Sequence, residues 1–364
     1  MPAEITFAML SLAARFCPAL VAFRSDAAEA FFHASLALTR ETPDTYTIMR
    51  MQTLLMLSLY DCIDKSEKRG WALLGQAIRI GQILSLDNNQ IKTPMAFGSR
   101  LNTGKQKAED PRIAEESRRT WWCAFLLESL LCDGQRQCSI RFDPYPIRLR
   151  LPMSNEDYYA SRSVATAPFH TILPPWAPPL GPDVRLETDL FGMTLRIADL
   201  YARVIAYVNA GGKNVDSRAP WDEKSTFHSL QDELTRWVLP NQRRALLTLF
   251  DRWLRNLPQQ YTNSPSTQMA HVLAGGDRLF GLMHVLYYTA VLYLHRDFLP
   301  FLPPATWSPS QGPVDGPRLF FQPPPKPDHF WELSFTVMTD AAKHITDLAC
   351  QSELTFSLVS GCTD

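Results

Sequence analysis

The chain has 364 residues, 46% hydrophobic and 20% charged, with a formal net charge of -1. This is enough apolar material for one large core or two smaller ones without metals or disulfides, and it lacks the basic excess with which proteins neutralise nucleic-acid phosphates. The seven cysteines (Cys17, Cys62, Cys123, Cys132, Cys138, Cys350, Cys362) are odd in number and scattered through apolar text, the pattern of buried free thiols in a reducing compartment rather than of a disulfide framework.

In chain order, the first apolar stretch, Ile5 to Phe23, has no basic n-region and is interrupted by Arg15 and Pro18, which argues against a signal peptide. Asp26 with Glu29 three residues on resembles a capping box opening a helix through Leu38, and Thr42 before Pro43 predicts the start of the next. Lys65-Ser66-Glu67-Lys68-Arg69 is a short basic cluster expected in an exposed inter-helix turn. Leu73, Ala77, Ile80 and Leu84 then recur at helical spacing. Gly75 and Gly81 lie inside that helix at a propensity cost of about 1 kcal/mol each, for which close helix-helix approach is the expected compensation.

Asp110 before Pro111, Ser264 before Pro265, and Pro327 before Asp328 repeat the start signal, because each puts a side-chain oxygen near otherwise orphaned N–H groups. In the helix that Pro111 opens, Glu115 stands three and four residues before Arg118 and Arg119, so the charges pair along the helix surface. Trp121, Phe125, Glu128 and Cys132 share an inward face. A buried carboxylate needs a partner, and Arg79 is the expected one for Glu128.

Two proline-dense stretches, Pro168 to Pro182 and Pro300 to Pro327, read as extended surface connections. The first divides the chain into residues 1–167, a connection at 168–184, and residues 185–364. Beyond it, Phe227, Leu230, Leu234 and Trp237 predict one helix face, Leu246, Leu249, Trp253 and Leu257 a second, and Trp331, Phe335, Met338, Ala342 and Ile345 a third. Leu279 to Leu294 is shorter than the roughly 20 residues of a membrane span and contains His284, Tyr287 and Tyr288, so it is expected to be a buried helix with His284 a satisfied core histidine. Period-2 alternation of strand length hardly occurs. The fold class is all-α: packed helical hairpins with proline-rich connections.

Local signatures of catalysis are missing: no phosphate loop, dinucleotide-binding turn, His-Glu-x-x-His or Gly-x-Ser-x-Gly is found. The nearest cysteine pair, Cys132 and Cys138, has five residues between its members and no second pair to complete a zinc tetrahedron. Trp121, Trp122, Tyr287 and Tyr288 could line a small-molecule pocket, but aromatics at helical spacing more often fill a core.

The order of segments resembles the middle regulatory region of fungal binuclear zinc-cluster transcription factors, the xylanolytic-activator regulatory domain. Met51-Gln52-Thr53-Leu54-Leu55-Met56-Leu57-Ser58 resembles its glutamine-leucine helix, and Trp71 through Gly75, Arg79 and Gln82 its signature helix. Glu115 through Arg118, Arg119, Trp121, Trp122 and Phe125 is similar to its acidic-arginine-tryptophan block, Leu151-Pro152 to its closing element, and Tyr287 through His295 and Arg296 to its distal helix. Asp87 stands where the family usually has histidine, Glu128-Ser129 replaces an Asp-Arg pair, and Gln135-Arg136-Gln137 replaces Gly-Arg-Pro.

The resemblance implies a regulator of RNA polymerase II transcription and not an enzyme. It implies partners in the transcription machinery or among co-regulators, with room for a small-molecule effector, and no membrane. It also implies nuclear localisation, with a cytoplasmic location and a homodimer left open. Zinc and DNA contact would belong to an N-terminal six-cysteine cluster that this sequence does not contain, so neither cofactor, metal site nor DNA-binding residue is expected here. The chain is then either a fragment of a longer factor or a free-standing regulator. The competing readings are a free-standing helical protein that binds a small molecule and, last, a helical enzyme.

Overall fold

A computed structural model describes residues 2–17, 24–64, 66–86, 111–131, 150–162, 164–166, 169, 184–185, 189–236, 259–296, 298–299, 306–312 and 324–360. The fold is all-α, as periodicity predicts. Among the described residues the helices are α1 (Ala3–Ala13), α2 (Arg24–Glu41), α3 (Ile48–Asp64), α4 (Glu67–Ile83), α5 (Pro111–Leu131), α6 (Asn155–Tyr159), α7 (Leu190–Asn209), α8 (Thr226–Arg236), α9 (Pro265–Leu273), α10 (Asp277–Arg296) and α11 (Phe330–Ser360). The extended pairing described is a short parallel one, β1 (Ala165–Thr166) beside β2 (Val184–Arg185), with Ala165 opposite Val184. The chain forms two compact units, Met1–Leu131 with Gln137–Leu195, and Cys132–Arg136 with Arg196–Asp364.

In the first unit, α1 buries Ile5, Ala8 and Ser11 and packs on α2 and α3. The pair α3 and α4 makes the most extensive helix contact, and Gly70 permits it. The Ser58 hydroxyl donates to the Gly70 carbonyl at 2.7 Å, and a Cβ at Gly70 would lie 3.0 Å from the Ser58 carbonyl oxygen. Gly81 meets the same demand about three turns further along α4, where a Cβ would come within 2.8 Å of the Trp121 ring on α5. Gly75 departs from expectation: it is exposed and a Cβ there would meet nothing within 4 Å, so its propensity cost has no packing compensation. The α4 stripe is as predicted, with Leu73, Ala77 and Ile80 buried and Leu84 partly so.

Buried charges tie these helices together. Arg50, 4% exposed, pairs with Glu4 of α1 at 2.8 Å and donates to the Thr39 and Thr42 carbonyls at 3.0 and 2.9 Å. Thr42 therefore does not open a helix: residues 42–47 form a turn gripped by Arg50, and α3 begins at Ile48. The basic cluster also reads differently in three dimensions. Ser66 caps α4 through the Arg69 N–H, and Arg69 makes a two-pronged pair with the buried Asp61 carboxylate at 2.5 and 2.6 Å. Its guanidinium lies 4.8 Å over the Phe32 ring. A helix-terminal arginine held this way is not part of a loose basic turn.

In the second unit, Phe227, Leu230 and Leu234 bury one face of α8. Trp237, Leu246, Leu249, Trp253 and Leu257 lie outside the described residues. Ser264 caps α9 in a capping box with Thr267, and Pro265 is the first helical residue, as the sequence signal predicts. Along α10, Phe280, Met283, Leu286, Tyr287, Val291 and Leu294 are buried. No described helix is long and apolar enough to cross a membrane. The last helix starts at Phe330, later than the Pro327-Asp328 signal, because His329 takes a left-handed turn at φ 58°. Of the predicted stripe Trp331 is buried, while Phe335, Met338, Ala342 and Ile345 are half-buried; Ser334, Ala341 and Leu348 are also buried in the helix body.

The proline-rich stretches are more packed than surface connections where they are described. Phe169 is buried in the first core. Trp307 donates its indole N–H to the Gly312 carbonyl at 2.9 Å, and Trp331 sits close enough to Gly312 that a Cβ there would lie 2.8 Å from its ring.

Candidate functional site

The densest polar constellation of the first unit is built on α5. Glu115 is fully buried, so its carboxylate must be satisfied by protein donors. It accepts from Arg118, from Arg119 Nε at 3.0 Å and from the Met153 backbone N–H at 2.9 Å. The surface pairing predicted from the i, i+3 and i, i+4 spacing is thus a buried hub. Arg119 extends it, donating to Asn155 Oδ1 at 2.8 Å and the Met153 carbonyl at 2.9 Å, with its guanidinium 4.6 Å over the Tyr158 ring. One turn further on, the Trp122 indole donates to the Arg150 carbonyl at 2.9 Å and stacks on Phe169 with centroids 4.9 Å apart. Thr166 donates to the Leu151 carbonyl at 2.5 Å. Together these contacts clamp residues 150–158 against α5.

Asp189 belongs to the same neighbourhood. Its carboxylate accepts from the Gly192 N–H at 2.8 Å and so caps α7. Burial pushes its pKa up to about 6, opposed by the Gly192 bond and by Arg119 and assisted by the Glu115 charge.

Other residues singled out from sequence lie as follows. Trp121 and Trp122 are buried, Trp71 is half-buried, and Gly75 and Arg79 are exposed on α4. Glu128 is buried while Arg79 faces solvent, and no described ion pair joins them, so the expected partnership is not formed. In the second unit His295 is buried, its Nδ1 3.0 Å from the Ser334 hydroxyl and its ring edge-on to Phe227 at 5.5 Å. Burial pushes its pKa down to about 4. Arg296 is exposed, 5.6 Å from the Tyr293 ring centroid. His284 is a core histidine, its Nε2–H donating to the Tyr261 carbonyl at 3.1 Å, and burial pushes its pKa down to about 3. Tyr287 and Tyr288 are buried within their own core, so neither they nor the two tryptophans line an open pocket.

Sequence reasoning found Glu115, Arg118, Arg119 and Trp122, but missed their partners Arg150, Met153, Asn155 and Tyr158. Most of these contacts fall on backbone atoms, which carry no side-chain signature. It also missed Asp61 and Arg50; for Arg50, a lone charge in apolar helical text, that isolation was the available signal.

The clamp joins three side-chain charges and an indole into a fixed arrangement without pairing a nucleophile to a base. Among the described residues no group of three or more His, Cys, Asp or Glu side chains is placed to hold a metal ion. The described cysteines, Cys17, Cys62, Cys123 and Cys350, lie on separate elements, and the Cys132–Cys138 pair falls outside the described residues.

Residues 2–175, which include every member of the clamp, match the family described as the Fungal specific transcription factor domain. This N-terminal stretch, slightly less than half of the chain, is similar to that family. It is 25% identical over 321 residues to an uncharacterized transcriptional regulatory protein of Schizosaccharomyces pombe, covering 83% of this chain and 42% of that protein. A second such protein of the same yeast is 23% identical over 313 residues, covering 81% of this chain and 34% of the relative. A Zn(2)-C6 fungal-type transcription factor of Fusarium oxysporum f. sp. lycopersici is 29% identical over 178 residues, covering 48% of this chain and 18% of the relative. The chain spans less than half the length of these relatives. No solved structure matches it. The regulatory domain's family is one of transcription regulators, not enzymes, and the α5 clamp with the 150–158 segment lies wholly within the matched span.

Proposed function

We propose that this chain is the regulatory region of a fungal zinc-cluster-type transcription factor, controlling RNA polymerase II transcription in the nucleus through protein partners. DNA is read by a zinc cluster on another domain or on a partner, and this region neither binds zinc nor catalyses a reaction. The observation that carries the reading is that the span matching the Fungal specific transcription factor domain coincides with a clamp whose buried charges are spent on holding helices and a distant segment together. An arrangement of that kind has regulatory value because a partner or a small-molecule effector that binds one packing better than another shifts the population between them.

The test is to fuse the chain to an unrelated DNA-binding domain upstream of an RNA polymerase II reporter. The expected result is a change in reporter output relative to the DNA-binding domain alone, altered again by Glu115→Gln, which removes the hub charge at nearly constant shape. Identical output from the bare DNA-binding domain and the fusion, with the fusion shown to be nuclear and folded, would defeat the proposal.

A further inference from the structure

Ser161 stands at a backbone position that favours glycine. It follows α6 with φ 54°, the Ser161 N–H bonding back to the Tyr158 carbonyl at 3.0 Å and the Arg162 N–H to the Asp157 carbonyl at 2.9 Å. That pair of bonds is a Schellman ending, in which the left-handed residue is usually glycine because a Cβ is strained there. A strained non-glycine residue calls for something its side chain does. Here the side chain is an exposed hydroxyl that accepts from Arg112 Nε at 2.5 Å across 49 residues of sequence, joining the first turn of α5 to the end of the clamped segment. The next residue, Arg162, has a 61% exposed side chain and bonds the Asp157 carboxylate at 3.2 Å.

We propose that Ser161 is a phosphorylation site and Arg112 the receptor for its phosphate. The hydroxyl is accessible, and a guanidinium already lies within hydrogen-bonding distance of the oxygen that would carry the phosphate. Phosphorylation replaces one bond between a guanidinium and a neutral hydroxyl by bonds in which both partners are charged and several acceptor oxygens are on offer. In the reaction a serine protein kinase supplies ATP. The Ser161 Oγ–P bond forms, the bond from the γ-phosphorus to its bridging oxygen breaks, ADP leaves with the electron pair, and the hydroxyl proton passes to the kinase's base. Asp157, already shared between Arg162 and Ser154, repels the phosphate, so the gain rests on Arg112. The consequence is a tighter clamp between α5 and residues 150–162.

The experiment compares the full chain carrying serine or genetically encoded phosphoserine at 161, each with Arg112 intact or Arg112→Gln, by thermal melting and limited proteolysis after Arg162. With Arg112 present, phosphoserine is expected to raise the melting temperature by a few degrees and slow cleavage several-fold; in the Arg112→Gln background both effects should vanish. Equal shifts in the two backgrounds, or a lowered melting temperature with Arg112 present, overturn Arg112 as receptor. Independently, mass spectrometry of the protein isolated from its native cells should find a phosphorylated Ser161 peptide, and full coverage of that peptide without phosphate across growth conditions overturns the modification. Ser161→Gly relieves the backbone strain and serves as the folded, non-modifiable control.

Discussion

Trp121 and Gly81 form a lock in which each explains the other. The indole fills the space that a Cβ on α4 would otherwise occupy, so a helix interior tolerates a glycine at an intrinsic cost of about 1 kcal/mol. With Trp121 only 2% exposed, Trp121→Ala removes a buried aromatic and leaves a cavity, and is expected to destabilise the fold by about 3–5 kcal/mol in chemical denaturation. A loss under about 1 kcal/mol, the range of surface positions, would place the ring in solvent. The two signature-helix glycines offer a sharper contrast, since sequence alone gives them the same role. Gly81→Ala pushes a methyl into the Trp121 ring, 2.8 Å from its nearest carbon, and should cost about 1–3 kcal/mol as an overpacking change. Gly75→Ala meets open space on an exposed helix face and should stabilise by up to about 1 kcal/mol through helix propensity and a less flexible unfolded chain. Equal effects of the two substitutions would refute the assignment.

At the scale of elements, the α5 hub shows why part of the site was legible and part was not. The glutamate and two arginines were visible because an i, i+3 and i, i+4 charge pattern on a helix has one geometric meaning. Whether that pattern faces water or core depends on what covers it, here the backbone of Met153, 38 residues away. Tertiary pairing at that separation leaves no periodic trace in the sequence. The same reasoning separates the helix starts: the Ser264–Thr267 capping box is a local contest that local chemistry decides, whereas Thr42-Pro43 looked equally good until Arg50 claimed its carbonyl and hydroxyl. Breaking a buried pair from one side leaves uncompensated charge, so Glu115→Ala is expected to cost about 3–5 kcal/mol. It should also free the 150–158 segment, read as faster amide exchange there than in α1. Uniform acceleration across the first unit would show that the hub supports the core in general and not the clamp.

For the whole molecule, the buried titratable groups give the two units opposite responses to acid. His295 titrates near 4 in the folded chain against an ordinary 6.5, so the unfolded state binds its proton first and stability falls as pH drops from about 6.5 towards 4. The full swing is about 3 kcal/mol at 1.36 kcal/mol per pKa unit. His284, pushed further down by the same desolvation, acts with the same sign in the same unit. Asp189 in the first unit works the other way. Its folded pKa of about 6 exceeds the ordinary 3.8, so the folded state takes the proton first and gains stability as pH falls from about 7 towards 4. Between pH 7 and pH 5, amide exchange corrected for its intrinsic pH dependence should therefore reveal α10 opening more readily while the first turn of α7 holds or tightens. His295→Gln should blunt the first response without changing the second, and Asp189→Asn, which keeps a capping oxygen but cannot ionise, should abolish the second alone. Parallel weakening of both units in the unmodified chain would mean that the acid response is set by net charge, and that these three groups do not govern it.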